Sequence, residues 1–353
     1  MSSVFGKQLK VSTFGESHGP ALGVLVDGLP AGLLIDQKRI QREMDRRRPG
    51  GSAMVSARKE ADQVEILSGV SQGKSLGSPI ALLVRNKNAR SKDYRDLAEV
   101  FRPGHADFTY FQKYGIPPQP GGGRASGRET AARVAAGALA RALLEPMGIA
   151  FFSCTVAVGG IKARKIDYEF SHTDPLHAAD PDLARAMGEK VLAAREKGDS
   201  VGGVVQVEVR GAPAGWGDPV FDKLDAALAG AWFSIGGVKG VEIGSGFEAA
   251  ARLGSENNDQ MDENGFLSNH AGGILGGISS GQSLLARLAV KPTPSISRPQ
   301  STRDLSGRQR EIEIKGRHDP CLCPRVGPVA EAMAALVLAD ACLCQRALQG
   351  ESR

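Results

Sequence analysis

Aromatic residues are scarce, with twelve Phe, four Tyr and two Trp among 353 residues. No aromatic-basic stripe and no lysine-rich tail occurs, so the chain lacks the stacking platform of a single-strand nucleic-acid binder. Nor does any uninterrupted apolar run approach the roughly 18 residues of a membrane span. Cysteines number five, an odd count, and the opening residues carry no charged stretch followed by an apolar one. The expectation is therefore a reducing, cytoplasmic compartment without a disulfide framework. Cys321/Cys323 and Cys342/Cys344 are Cys-Leu-Cys pairs. The second lies in a helical pattern that turns residues two apart to different faces, and no metal site is expected. A phosphate loop is excluded too: Gly73-Lys74-Ser75 has the right ending, but Ser68 stands where the first glycine belongs and a strand-like run follows.

Glycine, by contrast, is abundant: 45 residues, roughly twice the usual share of about 7%. The composition is otherwise that of a globular chain, 41% hydrophobic and 24% charged. The net charge of +5 and a pI near 9.0 fit an anionic partner, for which small anions serve as well as nucleic acid. Length alone predicts two domains.

Strand-like runs fall at 21–28, 63–70, 78–86, 200–211 and 237–244. Helical patterns occupy 36–47, 128–148, 218–235 and 328–348, and the alanine-rich 128–148 is apolar on nearly every side, as a buried helix is. Without regular strand–helix alternation the class is α+β. Residues 163–200 are the most polar and least patterned part; they read as a surface insertion with one helix over 182–194.

Several blocks carry chemistry. "FGESHG" (14–19) sets Glu16, Ser17 and His18 between two glycines, which is either a tight turn or a place where a ligand approaches the backbone. "FRPGHADFTY" (101–110) places His105 beside Arg102. "GGGRASGRET" (121–130) feeds a helix N-terminus with glycines, Arg124, Ser126 and Arg128, so backbone N–H groups, helix dipole and guanidinium forks all favour an anion there. "NHAGGILGGISSGQ" (269–282) and "KPTPS" (291–295) expose backbone that either receives a flat phosphorylated ligand or makes tight bends. In the last helical pattern Asp340 follows Leu336 and Val337 by four and three residues, which puts a carboxylate on the apolar face. It is either a structural acid bonded to backbone amides or a catalytic one.

Together with "VKGVEIG" (238–244) and "KGRHDPC" (315–321), these blocks resemble the chorismate synthases in order and separation, from the first strand to the last helix. The resemblance implies one α+β domain over 1–353, with helices enclosed between β-sheets, and a homotetramer. The activity it implies is loss of phosphate and a ring hydrogen from 5-enolpyruvylshikimate-3-phosphate to give chorismate, an anti-1,4 elimination requiring reduced FMN without net redox change, NADPH being a possible reductant. By resemblance, His18 supplies a proton beside the flavin, His105 is the acid for the leaving phosphate, and Asp340 with Ser17 assists hydrogen transfer. Flavin contacts carried over the same way fall on Arg124, Ala125, Ser126, Gly236, Gly237, Gly276, Lys291, Pro292, Thr293, Pro294, Ser295 and Arg317. Arg47 and Arg48 of the "RRRPG" block, with Arg102 and Arg128, would take NADP or the substrate's anionic groups. The chain departs from the family's pattern at Pro117–Pro120, Ala53 and Gly236. Two other classes stand for comparison: a polyanion-binding module, whose binding falls steeply with salt, and an ordinary flavin oxidoreductase, which consumes reductant in step with product.

Overall fold

Period-two patterning builds two antiparallel sheets. In the computed structural model, which describes residues 3–48, 50, 54, 61–87, 99–314, 316 and 318–349, the first sheet runs in the order Val4–Phe5, Lys10–Gly15, Ala21–Asp27, Ile80–Arg85, Val64–Ile66. The second runs Val238–Ile243, Leu284–Val290, Gly203–Arg210, Ala150–Val158, Ile161–Lys162. Eight α-helices occur among the described residues: α1 Gln37–Arg47, α2 Asp107–Tyr114, α3 Thr130–Leu144, α4 Tyr168–Thr173, α5 Pro181–Glu196, α6 Leu224–Phe233, α7 Gly254–Asn257 and α8 Cys323–Gln349.

The layering follows from which helices are apolar all round. α3 lies on the first sheet and α8 on the second, and the two helices pack on each other, so both are covered on every side. Their approach is close: a Cβ on Gly137 would fall 2.5 Å from Cβ of Ala332. α1 flanks both and α6 packs on α8. A single hydrophobic core joins the two sheets through these helices, so the two-domain expectation from length does not hold. By length and composition α8 is apolar enough to cross a membrane, at a mean hydropathy of 1.7 over its most apolar window, yet 83% of that window is buried here as core.

Charge is buried in this core as well. Glu331 on α8 is fully buried and accepts from both Nη atoms of Arg46 at 2.8 and 2.7 Å, from Ser153 Oγ at 2.5 Å, and from Arg141. Burial alone would push its carboxyl up; the two guanidinium groups hold it down at about 2. This cluster ties α1, α3, α8 and strand Ala150–Val158 at one point.

Several helices begin or end away from their patterned ranges: α6 starts at Leu224 and α8 at Cys323, running through Pro328. Strands Lys10–Gly15, Ala150–Val158 and Leu284–Val290 carry no sequence expectation, and Ala150–Val158 is buried on both faces over much of its length, which erases the alternation that marks a strand. The surface-insertion reading of 163–200 needs correction. Leu176, Ala178, Met187 and Val191 from this stretch enter the core, Thr155 bridges Ala178, and α5 packs on strand Ala150–Val158. Its polar residues otherwise stay toward the surface, with Ser171 and Asp180 the buried exceptions.

Candidate active site

The triple glycine is the hub. Gly121, Gly122 and Gly123 all have positive φ (64°, 89° and 52°), conformations that side-chain-bearing residues rarely adopt. They also press on both sequence-predicted histidines. A Cβ at Gly121 would lie 2.1 Å from Cε1 and 2.2 Å from Nδ1 of His18, and one at Gly122 would lie 2.7 Å from Cε1 and 3.0 Å from Nε2 of His105. The "FGESHG" and "FRPGHAD" blocks, distant in sequence, thus meet on one small backbone surface.

His18 leaves strand Lys10–Gly15 in a turn closed by Gly19 N–H to Glu16 O, 3.1 Å. Its Nδ1 is 3.0 Å from Oγ of Ser17, which is buried. His105 precedes α2, and its Nδ1 is 2.7 Å from Oδ1 of Asp107. Arg102 Nη2 also stands 3.1 Å from Nδ1 but already donates to Asp107 Oδ1, so the shorter contact gives the Nδ1 proton to the carboxylate, which can only accept, and leaves Nε2 on the Gly122 side. Arg102 clamps the same carboxylate in a fork, Nε to Oδ2 at 2.6 Å and Nη2 to Oδ1 at 2.8 Å. Burial would raise Asp107, but the bonds from His105 and Arg102 outweigh it and hold the carboxyl well below the usual range. Asp107 was not singled out from the sequence, although its place two residues after a histidine is the available signal.

A second charged cluster adjoins. Arg47 is completely buried; its Nη2 bonds Asp62 Oδ2 at 2.6 Å and its Nη1 reaches Thr130 Oγ1 at 3.2 Å and Gly127 O at 3.3 Å. Burial, with Arg325 nearby, brings its guanidinium down to about 10. Asp62 also takes Nη1 of Arg128 at 2.5 Å, and Arg128 Nε donates to Asn86 Oδ1 at 2.8 Å. Arg47 is thus an inward strut for the α3 N-terminus and not a rim residue, while Arg48 is exposed and pairs with Asp45 at 3.2 Å.

The 291–295 strap closes the other side. Lys291 donates to Gly104 O at 2.5 Å, its own N–H bonds Gly237 O at 2.9 Å, and Pro294 abuts Gly104, next to His105. Burial and then Lys239 lower the Lys291 ammonium from its ordinary value. Thr293 Oγ1 bonds Asp319 O at 2.7 Å, and the buried Asp319 carboxylate pairs with Arg325 at 2.6 Å. Ser295 is buried in the strap. Arg124 reaches back to Thr13 Oγ1 at 2.7 Å and to Gly15 O, bracing the strand ahead of His18; Ala125 and Ser126 follow it, half-buried. Gly236 precedes Gly237 with open space around it.

Two expected residues do not join this group. The Asp340 carboxylate accepts the backbone N–H groups of Lys7, Gln8 and Leu9 at 2.9, 2.7 and 2.8 Å, the structural alternative left open above. Strand Lys10–Gly15 then carries the chain away at roughly 3.3 Å per residue, so Ser17 lies about 20 Å off, at the opposite end. The expected pairing of Asp340 with Ser17 is therefore corrected. Asp340 instead lines a cleft of about 240 Å³ with Phe5, Lys7, Asp218, Asp222 and Cys344. Gly276 belongs to that side too, since the next residue, Gly277, packs on Asp218 and Lys223. Arg317 and Ala53 lie outside the described residues.

A family model described as chorismate synthase matches residues 9–343. The chain belongs to that family. It is 55% identical over 338 residues to the chorismate synthase of Syntrophobacter fumaroxidans, covering 96% of each chain, and 56% identical over 347 residues to that of Methanosarcina mazei, covering 96% of this chain and 95% of the relative. A solved chorismate synthase crystal structure aligns over 97% of this chain and 93% of its own length, at a TM-score of 0.75 and 32% identity. As a member of the chorismate synthase family the chain is a carbon–oxygen lyase of aromatic amino-acid biosynthesis acting on a small molecule.

Proposed function

We propose that the protein converts 5-enolpyruvylshikimate-3-phosphate to chorismate by 1,4-elimination of phosphate, with reduced FMN bound and no net redox change. The observation that carries this is the glycine surface with a histidine against each of its first two residues, backed by arginines. Such an arrangement supplies two proton-holding groups a short distance apart, beside cations, which expulsion of a phosphate requires.

The residues present fit a flat anionic cofactor. Gly121 to Gly123 offer backbone without side chains, and Arg124, the strap Lys291, Pro292, Thr293, Pro294 and Ser295, and Gly236 and Gly237 would hold ring and phosphate. When bound, the reduced flavin supplies electron density next to the substrate ring. His18 holds a proton at its imidazole, kept in orientation by Ser17. His105, locked by Asp107 so that Nε2 faces away from the carboxylate, gives its proton to the departing phosphate. Arg102 fixes Asp107 and, with Arg128, adds positive charge for the phosphate and carboxylates. Asp340 and Gly276, on the far side, have no part in this. A homotetrameric assembly, by family likeness, and a cytoplasmic setting, from the cysteine usage, complete the reading, with NADPH the candidate reductant.

The test is an anaerobic assay with purified substrate and a catalytic amount of photoreduced FMN. Many turnovers of phosphate and chorismate per flavin are expected. Reductant consumed one for one with product would refute the elimination in favour of an ordinary flavin oxidoreductase.

A further inference from the structure

Asn86 is absorbed by no step above, yet it touches both halves of the site. Strand Ile80–Arg85 pairs with Ala21–Asp27 so that Arg85 lies opposite Ala21, and residue 86 therefore emerges beside the turn carrying His18. There the Asn86 backbone N–H donates to Pro20 O at 3.1 Å. Its side-chain Nδ2 donates to Glu16 O at 3.0 Å and to Gly19 O at 2.7 Å, the carbonyls on either side of Ser17 and His18. Its Oδ1 accepts from Arg128 Nε at 2.8 Å. Two carbonyls and one guanidinium as partners admit only this orientation of the amide, and both amide protons are in use.

We infer that Asn86 is the positioning residue of His18: its carboxamide holds the 16–19 turn at both ends and locks it in register with Arg128 at the N-terminus of α3. The inference rests on the proposed proton-holding role of His18. No other side chain of this size does both jobs. An aspartate keeps the acceptor for Arg128 but has no proton for Glu16 O or Gly19 O, so two attractions become repulsions. An alanine releases both arms. The Asn86→Asp variant therefore separates the His18 arm from the Arg128 arm.

The experiment compares Asn86→Asp, Asn86→Ala and His18→Ala with the wild type, measuring anaerobic kcat and KM with reduced FMN. It adds the ¹⁵N–¹H imidazole spectrum of the ligand-free proteins, with the His18 resonances assigned from the His18→Ala difference. Asn86→Asp is expected to lower kcat about 10- to 100-fold, the range that a misplacement of about 1 Å produces, with KM within about threefold. Asn86→Ala should add a rise in KM, because Arg128 is loosened as well. In both variants the His18 resonances should move. The inference is overturned if kcat of both variants stays within twofold of wild type, or if it falls while the His18 resonances stay in place. Should His18→Ala itself turn over normally, the role of His18, and not the placement of Asn86, is what fails.

Discussion

Gly121→Ala is a single-methyl change whose consequences follow from two structural features. First, φ at position 121 is +64°, in the left-handed region, where a residue with a Cβ costs roughly 1–2 kcal/mol. Second, the new Cβ would fall 2.1 Å from Cε1 of His18, whereas ordinary van der Waals contact begins near 3.4 Å, so ring or loop must yield by about 1.3 Å. The first term predicts a loss of stability of about 1–2 kcal/mol, which shifts melting by a few degrees in a chain of this size. The second predicts a fall in turnover of about 10²-fold, since a displacement of that order at a positioned group has that effect. Gly230→Ala, in the middle of α6 with open space where the methyl would go, is the control. It should gain about 0.5–1 kcal/mol and keep full activity. Thermal melts and anaerobic kcat of both variants provide the readout. A Gly121→Ala enzyme with near-normal kcat would show that His18 is not held against this glycine during turnover.

Three further outcomes are expected. His105→Ala should lower kcat by roughly 10²- to 10⁴-fold with little change in melting; a variant with wild-type turnover would remove His105 from the mechanism. Asp340→Asn should weaken the anchoring of Lys7, Gln8 and Leu9, lowering stability by about 1–3 kcal/mol while kcat of the folded protein stays within about threefold; a hundredfold loss would restore Asp340 to catalysis. Glu331 has a folded-state carboxyl held at about 2 against an ordinary 4.5, so its contribution is complete above about pH 4.5 and disappears as pH falls toward 2. Denaturant melts across that window should steepen in the wild type. The Glu331→Gln variant, in which Arg46 and Arg141 lose this carboxylate and keep Glu43 and Glu145, should show a shallower slope, and equal slopes would refute the buried ion cluster.

Local order was legible in the chain because it is written in local spacing. The apolar run of 128–148 and the helical pattern of 36–47 appear as α3 and α1, and the glycine blocks mark turns because left-handed backbone falls mostly to glycine. The histidines were legible too, each beside a glycine. Side-chain partnership was not, because an ion or hydrogen bond is made with whatever the fold brings near, often more than a hundred residues away. Arg47, assigned by resemblance to NADP or the substrate's anionic groups, is held inside by Asp62 and Thr130. Asp340, which shares the helix's apolar face, meets three amides more than 330 residues earlier in the chain. Asn86, one residue past the end of its strand, becomes a clamp only because Arg85 lies opposite Ala21 and the turn leading into α3 presents Arg128. Helical and strand periods report which face a residue occupies; only the packing of sheet on helix decides what waits on that face, since those contacts are set by the whole chain at once.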